Sequence, residues 1–494
     1  MLIPINTLQT DSTELNQLVD DLNVVDISKT ESEVIKNNIK DFMKDLRDDI
    51  FVVKETNYVD RVFRDSYYDY YSTKLRVHNR DCLRLSFFDV NIDAGFSLDN
   101  DKNIEENYLG FLILRPQQKC IGRNVISRLA RKGGQDIKIC KSEVPASCYG
   151  IKLKAEGFPH ASQDTETMTC AQTTIWMLME YFGNKYSLYK PTVSSEIEKI
   201  LTPFVYERQL PSRGLNYNQV SVALREFGFG PRIYGLHDNQ PETQKQFFEL
   251  FACYIESGIP LAVALTDSDC GHAVVCVGHE NIAKSKVKLH PQSFNGKTIY
   301  VWNKAVAESR FVFNDDNFPC YQLDFLSKPC ERYTAKKPKM SNLKMEQFIA
   351  PLYSKVYMEA DMAIGQSKQI VTSILPNVDG NIVRTLLTSS RTFREHLAHI
   401  QEFSDDQRKA LLQIQLPKFV WLTEVSTEDQ FMNNKVNSIL LIDATGSQKG
   451  MAVQNMVYLL SESRFYIFDS ASKKIGYYDS SYASEFSAFI GNLK

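Results

Sequence analysis

Residues Gln163 to Gly183 read Q-D-T-E-T-M-T-C-A-Q-T-T-I-W-M-L-M-E-Y-F-G. A polar, turn-prone lead-in ends at Thr169-Cys170, and from there Ala171, Ile175, Leu178, Met179 and Phe182 recur at the helical period of a buried face. The pattern predicts a helix opening at Cys170, capped by Thr167 or Thr169 and stopped by Gly183. A thiol at a helix N-terminus faces the positive end of the macrodipole, which favours the nucleophilic thiolate. Cysteine is more often a core residue than a nucleophile, so Cys170 needs partners elsewhere in the chain.

Acyl transfer by a thiol requires a base, a group that holds the base, and donors for the oxyanion. Gly271-His272-Ala-Val-Val-Cys-Val-Gly278 puts His272 at the head of an apolar strand, where Gly271 is expected to leave room for close approach. His279, seven positions on, falls on the opposite face of that strand, so the two histidines are alternatives and His272 is the better placed. Arg310-Phe-Val-Phe-Asn314-Asp315-Asp316-Asn317 runs an apolar strand into four Asn/Asp residues. These are ordinary turn residues, and they also offer Asp315 as the carboxylate for the imidazole, with Asn314 and Asp316 as alternatives one residue away. Gln163 stands seven residues ahead of the thiol as a side-chain oxyanion donor beside the Cys170 backbone N–H.

Working outward, the helical signals continue with Gly214 to Gly228, where Asn216 or Asn218 marks the start, and with Glu242 to Ser257. Then the period changes to short strands, Leu261–Leu265, His272–Val277, Thr298–Trp302 and Arg310–Phe313. Helices followed by strands predict an α+β domain with its helical part packed on an antiparallel sheet. Upstream, weak helical periodicity over Glu31–Asp49 precedes strand-like runs at Leu83–Val90 and Tyr108–Leu114. Downstream, Met345–Ala363 is amphipathic, Ile382–Ile400 reads as a helix, and Phe419–Val425, Ser438–Ile442 and Met456–Ile467 read as strands. The expected division is three α+β units: residues 1–140, 141–335 and 336–494.

The 494 residues are 43% hydrophobic and 24% charged with net charge −3, an ordinary globular balance without a nucleic-acid footprint. The short basic clusters Arg128-Leu-Ala-Arg131-Lys132 and Lys336-Lys337-Pro-Lys339 are typical of solvated surface. No secretory leader or membrane-length apolar run is written, and the ten cysteines form no metal or redox motif. A cytoplasmic protein with reduced thiols, no cofactor, no metal, no nucleic acid and no membrane partner is the expectation.

Gln163, then C-A-Q-T-T-I-W-M-L from Cys170, R-G-L-N-Y-N-Q-V-S-V-A-L-R-E-F-G-F from Arg213, S-G-I-P-L-A-V-A-L before G-H-A-V-V-C-V-G, and F-V-F-N-D-D-N together resemble a papain-like cysteine peptidase. Within that superfamily the resemblance is to the bacterial bacteriocin-processing, double-glycine type, and it covers the central third of the chain only. It implies a papain-like fold and a thiol hydrolase acting on a peptide or amide bond of a peptide or protein substrate. It assigns the roles of nucleophile, base, orienting acid and oxyanion donor to Cys170, His272, Asp315 and Gln163. The family usually follows its nucleophile with glycine, where this chain has Ala171. The same residues would serve deamidation or acyl transfer, and a catalytically silent binding platform is the alternative of another class.

Overall fold

The computed structural model describes residues 2–92, 101–205, 209–236, 240–446, 452–469, 472–479 and 481–493. The chain is mixed α+β, with helices and strands interleaved along its length. The opening stretch forms a helix over Cys170–Lys185, whose residues from Ala171 to Phe182 are all buried. A helix covered on every side needs apolar residues all round, which is what Ile175, Trp176, Met177, Leu178 and Met179 supply. Both predicted end signals differ. Thr169 is the N-cap residue by backbone, but its hydroxyl donates to Gln172 Oε1 rather than accepting from a first-turn N–H. The Thr167 hydroxyl is turned to Asp164 and Ser66. Gly183 lies inside the last turn and does not end the helix.

The helix packs beside the strand Gly271–Glu280, which belongs to an all-antiparallel sheet. Its spatial order is Gln322–Phe325, Arg310–Asn314, Gly271–Glu280, Leu261–Thr266, Lys344–Tyr353 and Phe229–Gly235. Ile137–Ile139 adds to the far half of the Gly271–Glu280 strand, pairing Lys138 with His279. The approach is close enough that a Cβ on Gly278 would stand 1.9 Å from the Lys138 carbonyl oxygen, so only glycine fits there.

Among the described residues there are two further large sheets and two two-stranded ones. The N-terminal sheet runs Leu2–Pro4, Phe51–Tyr58, Cys82–Phe88, Tyr108–Leu114 and Ile121–Ile126, antiparallel throughout. The C-terminal sheet has eight strands from Pro291–Phe294 to Lys474–Asp479, with one parallel pair, Lys297–Val301 beside Ile382–Ser389.

Strands therefore cross the boundaries expected at 141 and 336. Ile137–Ile139 and Lys344–Tyr353 join the central sheet, while Lys297–Val301 leaves it for the C-terminal one. A single apolar core contains Leu46, Ile126, Trp176, Val263 and Trp421, so the three stretches are packed as one. The run Met345–Ala363 is a strand over Lys344–Tyr353 followed by the start of a helix over Ala360–Ile374. Ile382–Ile400 likewise divides into the strand Ile382–Ser389 and a helix over Ser390–Ala398. In both cases a strand buried along most of its length feeds a helix, and the joint apolar pattern mimics one long amphipathic run. Among the described residues, no helix is long and apolar enough to cross a membrane.

Candidate active site

Two antiparallel neighbours build the site. Val275 pairs with Asn314, so the chain leaving Arg310–Asn314 runs on toward the head of the Gly271–Glu280 strand, where His272 stands. Asp315, the first residue past the strand, places Oδ1 2.9 Å from His272 Nε2. Gly271 has a different part from the one expected: a Cβ added there meets nothing within 4 Å, so it grants no special approach.

Asp315 is fully buried and heavily coordinated. Its carboxylate accepts from the Tyr333 hydroxyl at 2.9 Å and 2.7 Å, from Arg332 Nε at 3.2 Å and Nη2, and from the Asn317 backbone N–H at 3.0 Å. Burial pushes the Asp315 carboxyl up, but His272 and Arg332 outweigh it and hold the group well below the ordinary carboxylate range. For His272 the balance runs the other way. Burial depresses the imidazole, yet the Asp315 charge and hydrogen bond, aided by the Cys170 and Asp316 side chains, raise it well above its ordinary value.

The Cys170 side chain is one of the neighbours that raise this imidazole. With Nε2 engaged by Asp315, Nδ1 is the nitrogen left for the thiol. Cys170 is half-buried, while eight of the other nine cysteines are buried and Cys270 is exposed. Burial at Cys82, Cys140 and Cys253 pushes those thiols up, as expected of core residues.

Gln163 is brought to the edge of the same cluster. Its amide donates to Asn317 Oδ1 at 3.4 Å and Asp316 Oδ1 at 3.5 Å, and Asn317 Nδ2 lies 3.4 Å from His272 Nε2. The loop between Gln163 and Cys170 is shaped by Asp164, whose Oδ1 accepts from the backbone N–H groups of Glu166, Thr167 and Met168 at 2.8–2.9 Å. His279 is elsewhere: its Nε2 donates to Glu256 at 2.8 Å toward the far end of the strand, and a register shift between Cys276 and Gly278 breaks the simple alternation expected of the two histidines. Asn314 is turned elsewhere, its side-chain Oδ1 accepting from the Tyr321 backbone N–H at 2.8 Å while its Nδ2 is buried without a partner.

Three contributors, Arg332, Tyr333 and His160, carry no local sequence signal, and a fourth, Asp316, was an alternative to Asp315 in the sequence. Arg332 and Tyr333 arrive on a short 3-10 turn after Cys330, and Arg332 also pairs with Asp324 on the edge strand. His160, buried and held down to about 4 chiefly by desolvation, is neutral; its Nε2 lies 3.0 Å from the Asp315 carbonyl and its Nδ1 3.0 Å from Asn124 of the N-terminal sheet. Asp316 is 2% exposed, its Oδ2 has no hydrogen-bond partner, and burial together with the Asp315 charge pushes its carboxyl up to about 7 against the pull of His272, Lys337 and Lys119.

One ligand atom from each of His272, Asp315 and Asp316 lies within 4.8 Å of the others, a spacing a divalent cation could bridge. Arg332 and Tyr333 already occupy Asp315, and a cation there would face the Arg332 guanidinium, so the cluster suits an imidazole better than a metal. No known family profile matches the chain, and no curated protein matches it in sequence.

Proposed function

We propose that the chain is a papain-like thiol hydrolase that attacks a peptide or amide bond. Cys170 is the nucleophile; His272 takes its proton and returns it to the leaving amine; Asp315 holds His272; Gln163 and the Cys170 N–H receive the oxyanion. The observation that carries this reading is the His272 imidazole held at 2.9 Å by the buried Asp315 carboxylate, with the half-buried Cys170 among the side chains that raise its proton affinity. Deamidation and acyl transfer would use the same residues and differ in the bond attacked or the acceptor.

The test is iodoacetamide labelling read by peptide mass spectrometry, with exposed Cys270 as internal control. Near pH 6, Cys170 should label on the order of tenfold faster than Cys270, and His272→Ala should abolish the difference. Equal labelling of the two cysteines in wild type and variant would favour a silent binding platform instead.

A further inference from the structure

A cleft of about 660 Å³ opens between the C-terminal end of the Cys170–Lys185 helix and the start of the Ser390–Ala398 helix. Its charged lining is one-sided. Lys185, Arg391, Arg394 and Lys418 face it, against the single carboxylate of Glu395. Glu395 is matched to Arg391 at 3.0 Å in a pair that is 88% and 59% exposed, and so exchangeable.

Two buried hydroxyls among the lining residues are without a partner. Thr388 and Tyr189 are each 4% exposed, both line the cleft, and neither Thr388 Oγ1 nor the Tyr189 hydroxyl has a hydrogen-bond partner. Arg394 Nε is buried and unpartnered as well, while its Nη2 donates to the Ile414 carbonyl at 2.9 Å and fixes the guanidinium in place. Buried donors are nearly always satisfied, so three of them around a cationic cleft call for an acceptor-rich guest.

We infer that this cleft binds the phosphate monoester of a small organic molecule. A phosphate offers enough acceptors to meet two guanidinium groups, an ammonium and two hydroxyls together, and the guanidinium fork matches its geometry. The helix start is not the anchor. Ser389 Oγ accepts the Thr392 N–H at 3.1 Å and the Ser390 N–H donates to the Lys418 carbonyl at 3.1 Å, so side chains must hold the anion. The cleft is too large for phosphate alone, and Tyr186, Tyr353 and Phe419 supply an apolar wall for the organic part.

The experiment is a phosphorus NMR titration of the full chain with phenyl phosphate and, separately, inorganic phosphate. Phenyl phosphate should saturate below about 1 mM and bind more tightly than inorganic phosphate. The double variant Arg391→Glu, Lys418→Glu should weaken it at least tenfold, and Thr388→Val or Tyr189→Phe by about threefold, with unchanged thermal melts confirming intact folding. Cys170→Ala should bind like wild type, since the site does not depend on the triad. Absence of saturable binding by about 10 mM, indifference to the charge reversal, or equal affinity for the two probes would overturn the assignment.

Discussion

His272 Nε2 lies 2.9 Å from Asp315 Oδ1 although 43 residues separate the two, and both side chains are buried. Arg332 shares that carboxylate, so Asp315 anchors two cations at once. Asp315→Ala should therefore cost on the order of 3 kcal/mol of stability by taking the acid from His272 and one of two carboxylates from the buried Arg332 guanidinium, which keeps Asp324, in addition to slowing Cys170 alkylation. Asp315→Asn separates the effects, because it keeps an acceptor for His272 while removing the charge. Denaturant melts and alkylation rates on both variants check this; wild-type alkylation in Asp315→Asn would remove Asp315 from the proposed triad.

Tyr333 touches both members of the pair, donating to Asp315 and lying 3.1 Å from His272 Nε2. Tyr333→Phe deletes the donor and should cost about 1–2 kcal/mol. The pH consequence has a definite sign. A depressed folded carboxyl gives stability that is present above its ordinary value of 3.8 and is lost as pH falls through the folded value. Removing a donor raises the folded value, so the acid-unfolding midpoint of Tyr333→Phe should move to higher pH. A midpoint that stays in place would mean the hydroxyl contributes nothing to the charged carboxylate.

Asp316 titrates in the opposite sense. With its carboxyl raised from 3.8 to about 7, the folded protein holds the proton more tightly than the unfolded chain. Its share of stability is full below 3.8 and lost as pH rises through about 7, a swing on the order of 4 kcal/mol. Asp316→Asn keeps the acceptor for Gln163 and removes the titration, so it should raise the melting temperature more at about pH 8 than at about pH 4. Equal gains at the two pH values would show that Asp316 does not carry a raised proton affinity.

The parts of this molecule that sequence reading found are those with local causes. Asn216 and Gln219 form a reciprocal capping box at the start of Tyr217–Glu226, and Pro241 opens Pro241–Glu256. Cys170, His272 and Asp315 were legible for the same reason, each sitting at an element's end beside a characteristic run. Strand partners were not. Lys297–Val301 and Lys344–Tyr353 look alike as apolar runs, and only long-range pairing sends one to the C-terminal sheet and the other to the central one. Arg332, Tyr333 and His160 were equally invisible, since their roles consist of contacts with a residue 17, 18 and 155 positions away.

Gly183 shows how a local signal misleads and yields the last prediction. It reads as a helix stop, yet the helix continues through it to Lys185, and an added Cβ would stand 2.3 Å from the Pro191 backbone nitrogen. That loop is tethered, because Arg61 Nη2 donates to the Pro191 carbonyl at 3.0 Å, so it cannot retreat without losing a bond. Alanine ordinarily improves a helix interior by about 1 kcal/mol over glycine. Gly183→Ala should reverse that and destabilise by about 1–3 kcal/mol through overpacking. Gly365, inside the helix Ala360–Ile374 with nothing within 4 Å of its added Cβ, is the matched control, and Gly365→Ala should stabilise. Thermal melts of the two variants must move in opposite directions; a stabilised Gly183→Ala would mean that the 190–191 loop is not held against the helix.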